Sequence, residues 1–298
     1  MSAGTSGPVR ELDDGGLSPR RRRGSRMLGR RAVLVSTAST IVLFVVIAIV
    51  ISLSPGASIV RERFFDWTHL KQAFSGTEST PSVLTAFVTN IKMFMVAEVL
   101  ILVIALVIAV VRGIPGPVFF PFRAVAVAYT DLFRGIPLIL VLYMIGFGLP
   151  GLGLRFVSEG SAITYGVVSL VLVYSAYVAE VYRAGIDSIH ESQVAAARSL
   201  GLSRWQSLRF VVLPQAVRRV IPPLLNDFIG LQKDTALVSV LGTIEAARAA
   251  QIYGAERFNY ASYVVAALLF VLMTIPLARF TDHLIARDRR RRQAGAVT

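Results

Sequence analysis

An all-α polytopic membrane protein with six transmembrane helices is what this sequence predicts, on three observations. Apolar stretches of about 18 residues or more recur, and a helix needs about 20 residues to cross a hydrocarbon core roughly 30 Å thick. Charge is scarce: 16% of residues are Asp, Glu, Lys or Arg against 54% hydrophobic, with a mean hydropathy of +0.64. A soluble domain carries about 25% charged residues. Basic residues are shared unevenly between alternate loops, as a fixed orientation in the bilayer requires.

Residues 1–31 are rich in Gly, Ser, Pro and Arg without apolar periodicity, which predicts a disordered basic tail. Its arginines, Arg20 to Arg23 with Arg26, Arg30 and Arg31, read as a topology signal that meets lipid headgroups. Residues 32–53 hold no charge and form the first span; the run is too long for a cleaved signal, and no A-x-A site follows it. Residues 54–81 are mixed polar and form an outer loop, with Phe64, Phe65 and Trp67 at the interface.

Residues 85–111 form the second span, carrying Asn90, Lys92 and Glu98. Lys92 lies near the outer end and snorkels. A Gly/Pro loop at 112–123 leads to the third span, 124–149, which contains Arg134-Gly135-Ile136-Pro137. Pro137 removes a backbone donor and crowds the preceding turn, so a kink or break is expected. Non-helical backbone at membrane depth survives only where protein or a water-filled cavity covers it. A Gly-rich outer loop at 150–160 precedes the fourth span, 161–181. Near its inner end Glu180 and Arg183 are three residues apart and pair on one face.

The chain is organised around residues 188–214, a polar, Arg-containing island between apolar segments. Ser188 with Glu191, and Ser203 with Gln206, have capping-box spacing, and Gly201 sits where a helix C-terminal Gly belongs. Ile189, Ala196, Ala197 and Leu200 share a flat face that another backbone can approach. Pro214 suits the first turn of the next helix. The fifth span, 220–241, is the least apolar: Asn226, Asp227, Gln232, Lys233, Asp234 and Thr235 lie in it. Facing lipid they would cost several kcal/mol, so they face protein or water and line a route. Two readings of Lys233 and Asp234 stay open, contact with a solute or purely structural pairing. Residues 242–259 read as an outer loop, 260–280 as the sixth span and 287–298 as a basic tail.

With six spans, both termini and the 188–214 loop share one side. That side holds 22 Lys and Arg against 6 on the other, which places it in the cytoplasm. The net charge of +13 is then explained by inner loops and lipid, not by nucleic acid. There is no cysteine, and His69, His190 and His283 are scattered, so neither a disulfide framework nor a metal site is predicted. No phosphate-binding G-x-x-x-x-G-K-[ST] loop is present, nor a hydrolase or zinc motif, so no catalytic residue is expected and ATP is not hydrolysed on this chain.

Several segments carry a family resemblance. The 188–214 loop resembles the cytoplasmic loop of membrane subunits of ATP-binding-cassette importers: Glu-Ala-Ala, three residues, Gly, nine residues, Ile, one residue, Leu-Pro. Ala195, Ala196 and Ala197 take the first places, Gly201 the Gly, Val211 the Ile, and Leu213 with Pro214 the end. Ala195 in place of Glu is a departure. Asn90-Ile91-Lys92-Met93 is similar to the opening of the family's transport core. Arg134-Gly135-Ile136-Pro137 resembles the Arg-Gly-Thr-Pro of the polar amino acid branch, with Ile136 for Thr. Ala179-Glu180 through Ile186 resembles its Ala-Glu-x-x-Arg-Ala-Gly-Ile. Lys233-Asp234-Thr235-Ala236-Leu237 resembles its Lys-Asp-Thr-Ser-Leu, with Ala236 for Ser.

The resemblance spans about residues 85–287 and implies a five-helix permease core at 82–286, preceded by one extra helix, with a coupling loop at 186–214. It implies a bacterial cell-membrane protein that forms the pathway for a polar amino acid, of the glutamate or glutamine type. It also implies separate ATPase subunits that bind the ATP, a second permease that is identical or paralogous, and an extracellular solute-binding protein. Coupling residues are then Ser188, Ile189, Glu191, Ala195, Ala196, Ala197, Leu200, Gly201, Leu213 and Pro214. Pathway residues are Asn90, Arg134, Gly135, Pro137, Glu180, Asn226, Lys233, Asp234 and Thr235. A secondary transporter driven by an ion gradient is the alternative, with Glu98, Glu180, Asp227 and Asp234 as its intramembrane acids.

Overall fold

A computed structural model describes residues 25–153, 159–189 and 191–295. The expectations for residues 1–24, Arg155, His190 and 296–298 lie outside them. Among the described residues the chain is helical, with no strand. The described residues divide into two compact units, one ending at Ser58 and the other beginning at Ile59. The first carries α1 (Ser25–Leu53), with an apolar stretch Val35–Val50. The helix starts before the predicted span, so the end of the expected tail is helical.

The second unit holds the rest. The expected outer loop at 54–81 contains two short helices, α2 (Ala57–Phe65), where the unit boundary falls, and α3 (Trp67–Ser75). Asp66 caps α3 by accepting from the His69 N–H at 3.0 Å. Next comes α4 (Val83–Gly113), begun by a Ser82 cap on Thr85, and then α5 (Phe120–Gly135). Pro137 breaks the chain as expected, and α6 (Leu138–Tyr143) leaves α5 at a bend of 106°. Ile136 is extended (φ −98°, ψ 131°), the conformation a following proline imposes. A wide π turn, Met144–Gly148, joins α6 to α7 (Leu149–Gly151).

The central helix α8 (Ala162–Asp187) packs against α4, α5, α6 and the helix after the coupling loop. Its core partners include Met93, Phe94, Ala97 and Ile101 of α4, Leu142 of α6 and Leu231. Beyond it lie α9 (Glu191–Ser199), α10 (Arg204–Ser207), a π turn Leu208–Val212 and α11 (Leu213–Asp234). The chain is helical without a gap from Arg204 to Asp234, and Pro214 lies in the first turn of α11, as expected. It lacks the N–H that would close a regular turn, and the π turn lies just before it. A 3₁₀ segment, Thr235–Leu241, follows.

Residues 242–259 are not an irregular loop. They form α12 (Ala246–Arg257), because Glu245 caps an Ala-rich run of high helix propensity. Ala246, Ala249, Ala250 and Tyr253 pack on Val83, Ala86 and Phe87 of α4. The last helix, α13 (Ala261–Gly295), continues through most of the expected basic tail.

Among the described residues, three helices are long and apolar enough to cross a membrane: Val83–Gly113, Ala162–Asp187 and Ala261–Arg287. The bent pair Phe120–Gly135 with Leu138–Gly151 brings the number to four. The expected span at 220–241 falls on α11 and the 3₁₀ segment, whose polar residues keep it outside that group. Six spans remain an expectation that helix length and apolarity alone do not reach.

Candidate functional site

The break at Pro137 opens a cavity of about 440 Å³ between α5, α6, α8 and α11. Its polar lining is Arg134, Tyr174, Tyr177, Asp227 and Asp234, with Gly135, Ile136 and Pro137 as the exposed backbone corner. Pro137 has no N–H to bond, and the Ile136 N–H is taken by the Leu132 carbonyl at 3.2 Å. Tyr174 donates to Asp234 at 2.8 Å, and Tyr177 donates to the Arg134 carbonyl at 3.3 Å. The Arg134 guanidinium lies 5.9 Å from the Tyr177 ring centroid, within cation–π range. One oxygen of Asp227 is buried without a hydrogen-bond partner. The site therefore presents one cation, from α5, and two carboxylates, from α11, to one space.

Of the expected pathway residues, Arg134, Gly135, Pro137 and Asp234 meet here. Asn226 and Lys233 are exposed and do not line the cavity. Asn90 is buried and structural in its bonding. Its amide donates to Thr235 at 3.1 Å and Glu245 at 2.9 Å, and its oxygen accepts from the Ala246 N–H at 3.0 Å. Thr235 is likewise fully buried, donating to the Gln232 carbonyl. Burial pushes the Glu245 carboxyl up from its ordinary value, while the N–H of Ala247, the Asn90 amide and the N–H of Arg248 pull it back.

Glu180 is the centre of an ion-pair hub beside the cavity. It accepts from Arg112 at 2.7 Å and from Arg183, with Arg134 at 3.9 Å. Arg112 also donates to Thr130 at 3.1 Å, and Arg183 reaches Asp187. The expected Glu180–Arg183 pair is thus present, within a cluster that ties α4, α5 and α8 together.

The segment expected to couple, residues 188–214, is a helix–turn–helix. Gly201 has φ +85°, and the N–H of Leu202 and Gly201 bond to Ala197 and Arg198 carbonyls, a Schellman end. Ser203 and Gln206 form the expected capping box, with bonds of 2.8 and 3.2 Å. The box expected at Ser188 and Glu191 does not form. Ser188 closes α8 instead, its hydroxyl donating to the Gly185 carbonyl at 2.6 Å. The expected flat face also divides. Ile189 and Ala197 are buried, Ile189 against Val212 and Ala216, whereas Ala195, Ala196 and Leu200 face outward. Leu200 is 84% exposed and Trp205 66%, and Glu191, Gly201, Leu213 and Pro214 are exposed beside them. Arg219 donates to the Ser188 carbonyl, joining the segment to α11.

Sequence reasoning passed over Tyr174, Tyr177 and Arg112. The two tyrosines precede Glu180 at intervals of three, so one helical face carries all three, a signal the sequence contains. Arg112 read as a loop charge, and nothing in its spacing says that it turns inward.

A family model described as "Binding-protein-dependent transport system inner membrane component" matches residues 116–290. The probable amino-acid permease protein YxeN of Bacillus subtilis is 31% identical over 211 residues, 70% of this chain and 90% of that protein. The arginine transport system permease protein ArtQ of Bacillus subtilis is 33% identical over 207 residues, 68% of this chain and 91% of that protein. A solved structure described as an amino acid ABC transporter with histidines superposes with a TM-score of 0.63 at 32% identity, covering 69% of this chain and 93% of that one.

Proposed function

Because the chain belongs to the family of binding-protein-dependent transport system inner membrane components, we propose that it forms the membrane pathway of an ATP-driven importer for a polar amino acid. The carrying observation is the cavity at the Pro137 break, which Arg134 lines together with Asp227 and Asp234. Arg134 receives the solute α-carboxylate, bidentately where geometry allows. Asp227 and Asp234 receive its ammonium group. Two carboxylates against one guanidinium disfavour a second negative charge on the solute, so glutamine fits better than glutamate. Relatives named for glutamine and arginine transport support the class.

Separate ATPase subunits bind the exposed face of the coupling segment at Leu200 and Trp205. A second permease completes the pathway, and an extracellular binding protein delivers the solute. The chain is a multi-pass protein of a bacterial cell membrane with both termini in the cytoplasm. Movement of α9 passes through Val194, which packs on Ile189, Val212 and Ala216, into α11, which carries Asp227 and Asp234, while the Arg219–Ser188 bond ties the end of α8 to α11. This is rigid-body coupling through a continuous helix. Family membership does not favour the gradient-driven alternative.

Uptake of labelled glutamine by cells expressing the whole importer tests the reading. Arg134→Gln and Asp234→Asn should each lower uptake about tenfold or more while the ATPase remains bound. Leu200→Glu with Trp205→Glu should release the ATPase in a pull-down. Uptake that survives ATP depletion and stops with an uncoupler would overturn the proposal.

A further inference from the structure

Arg112 and Arg183, whose guanidinium groups bond Glu180, also line a second cavity of about 680 Å³. It lies between the end of α4, the start of α5 and the end of α8, with Arg123, Asp131, Phe120 and Val127 completing its character. Arg112 and Arg183 are neutralised by Glu180 and Asp187. Arg123 is different. It donates to the carbonyls of Ile114 at 2.7 Å and Gly116 at 2.9 Å, and among the described residues no carboxylate pairs with it. Neutral carbonyls hold the side chain in place and leave its charge uncompensated. A guanidinium has five N–H donors, so those two bonds leave others to offer.

Two further features point the same way. The cap of α5, Phe119, makes no side-chain hydrogen bond, so the positive end of a 16-residue helix lies beside Arg123 without an anionic cap. The end of the preceding loop and the first turn of α5 are apolar at the surface: Val118 is 77% exposed, and Phe120 and Phe122 are each 63% exposed. A cation without an ion-pair partner, a helix start without a side-chain cap and an apolar rim match a ligand with an anionic head and hydrocarbon tails.

We propose that this cavity binds one anionic phospholipid of the inner leaflet. Its phosphate sits on Arg123 near the start of α5, flanked by Arg112 and Arg183, and its acyl chains lie on Phe120, Phe122 and Val127. The site is independent of the solute and of the ATPase.

Native mass spectrometry of the whole importer, extracted from vesicles of equimolar phosphatidylglycerol and phosphatidylcholine, tests it. Phosphatidylglycerol should be retained preferentially. Arg123→Gln should weaken that retention about tenfold. Asp131→Asn, which removes the one carboxylate in the lining, should strengthen it about fivefold, a gain that misfolding cannot imitate. Equal retention of the two lipids, or no gain with Asp131→Asn, would overturn the assignment. So would displacement of the lipid by inorganic phosphate, which would make the site one for a soluble anion. A disulfide formed between two copies of Phe120→Cys, the sole thiol in this cysteine-free chain, would assign the cavity to the second permease instead.

Discussion

Neutralising Glu180 tests whether the three-arginine hub holds the bundle or serves the solute. In Glu180→Gln, Arg112 keeps its bond to Thr130 but loses the carboxylate at 2.7 Å, with its own side chain only 13% exposed and that of Glu180 21%. Removing one partner of a fully buried pair costs about 3–5 kcal/mol. Partial exposure of Glu180 and the surviving Thr130 bond reduce this to about 2–3 kcal/mol. At about 2–4 °C per kcal/mol for a chain of this size, melting should fall by about 5–10 °C. Thermal melting of the purified protein in detergent reads this directly. The double variant Arg112→Gln with Glu180→Gln removes the one well-buried stranded charge, since Arg183 keeps Asp187 and Arg134 is 41% exposed, so it should recover at least half of the loss. Additive losses in that double variant would refute the hub as the source of the effect. A Glu180→Gln protein that melts normally but shows a raised KM for uptake would return Glu180 to the solute path.

Two further substitutions probe the packing that positions the cavity. A Cβ on Gly185 would lie 2.0 Å from a Val220 methyl, so Gly185→Ala should lower stability by about 1–3 kcal/mol, and adding Val220→Ala should restore most of it. Asn90→Ala deprives the fully buried Glu245 of one of its three donors and should cost about 1–3 kcal/mol, measured as a lower melting temperature with the ATPase still retained.

Features legible in the sequence are those whose physics closes within a few residues. A proline cannot donate its missing hydrogen bond anywhere, so a kink or break at Pro137 is legible from residue type, although Pro222, Pro223 and Pro276 stay inside their helices. Gly201 ends α9 because a residue without Cβ takes φ +85° freely, and Ser203 with Gln206 cap each other across one turn. Apolar run length announces α4, α8 and α13 in the same local way. Periodicity also says which residues share a face, but not what that face meets. Asn90 was expected on the solute route, yet it turns to Glu245, 155 positions away in sequence. Ser188 had the spacing of a cap, yet its hydroxyl closes the preceding helix. Ala197 and Leu200 were assigned one surface, yet one is buried and the other faces outward. The inward turn of Arg112 has the same cause: its carboxylate partner lies on another helix.

By itself, then, the sequence determined the long apolar helices, the break at Pro137, the end at Gly201, the cap at Ser203 and the membrane class, because backbone hydrogen bonding and hydrophobic length act over a single turn or a single span. Only the tertiary structure decided which polar groups meet across the cavity and which satisfy one another in the core. Burial makes an unpaired polar group costly, and its partner is chosen by helix packing rather than by proximity along the chain.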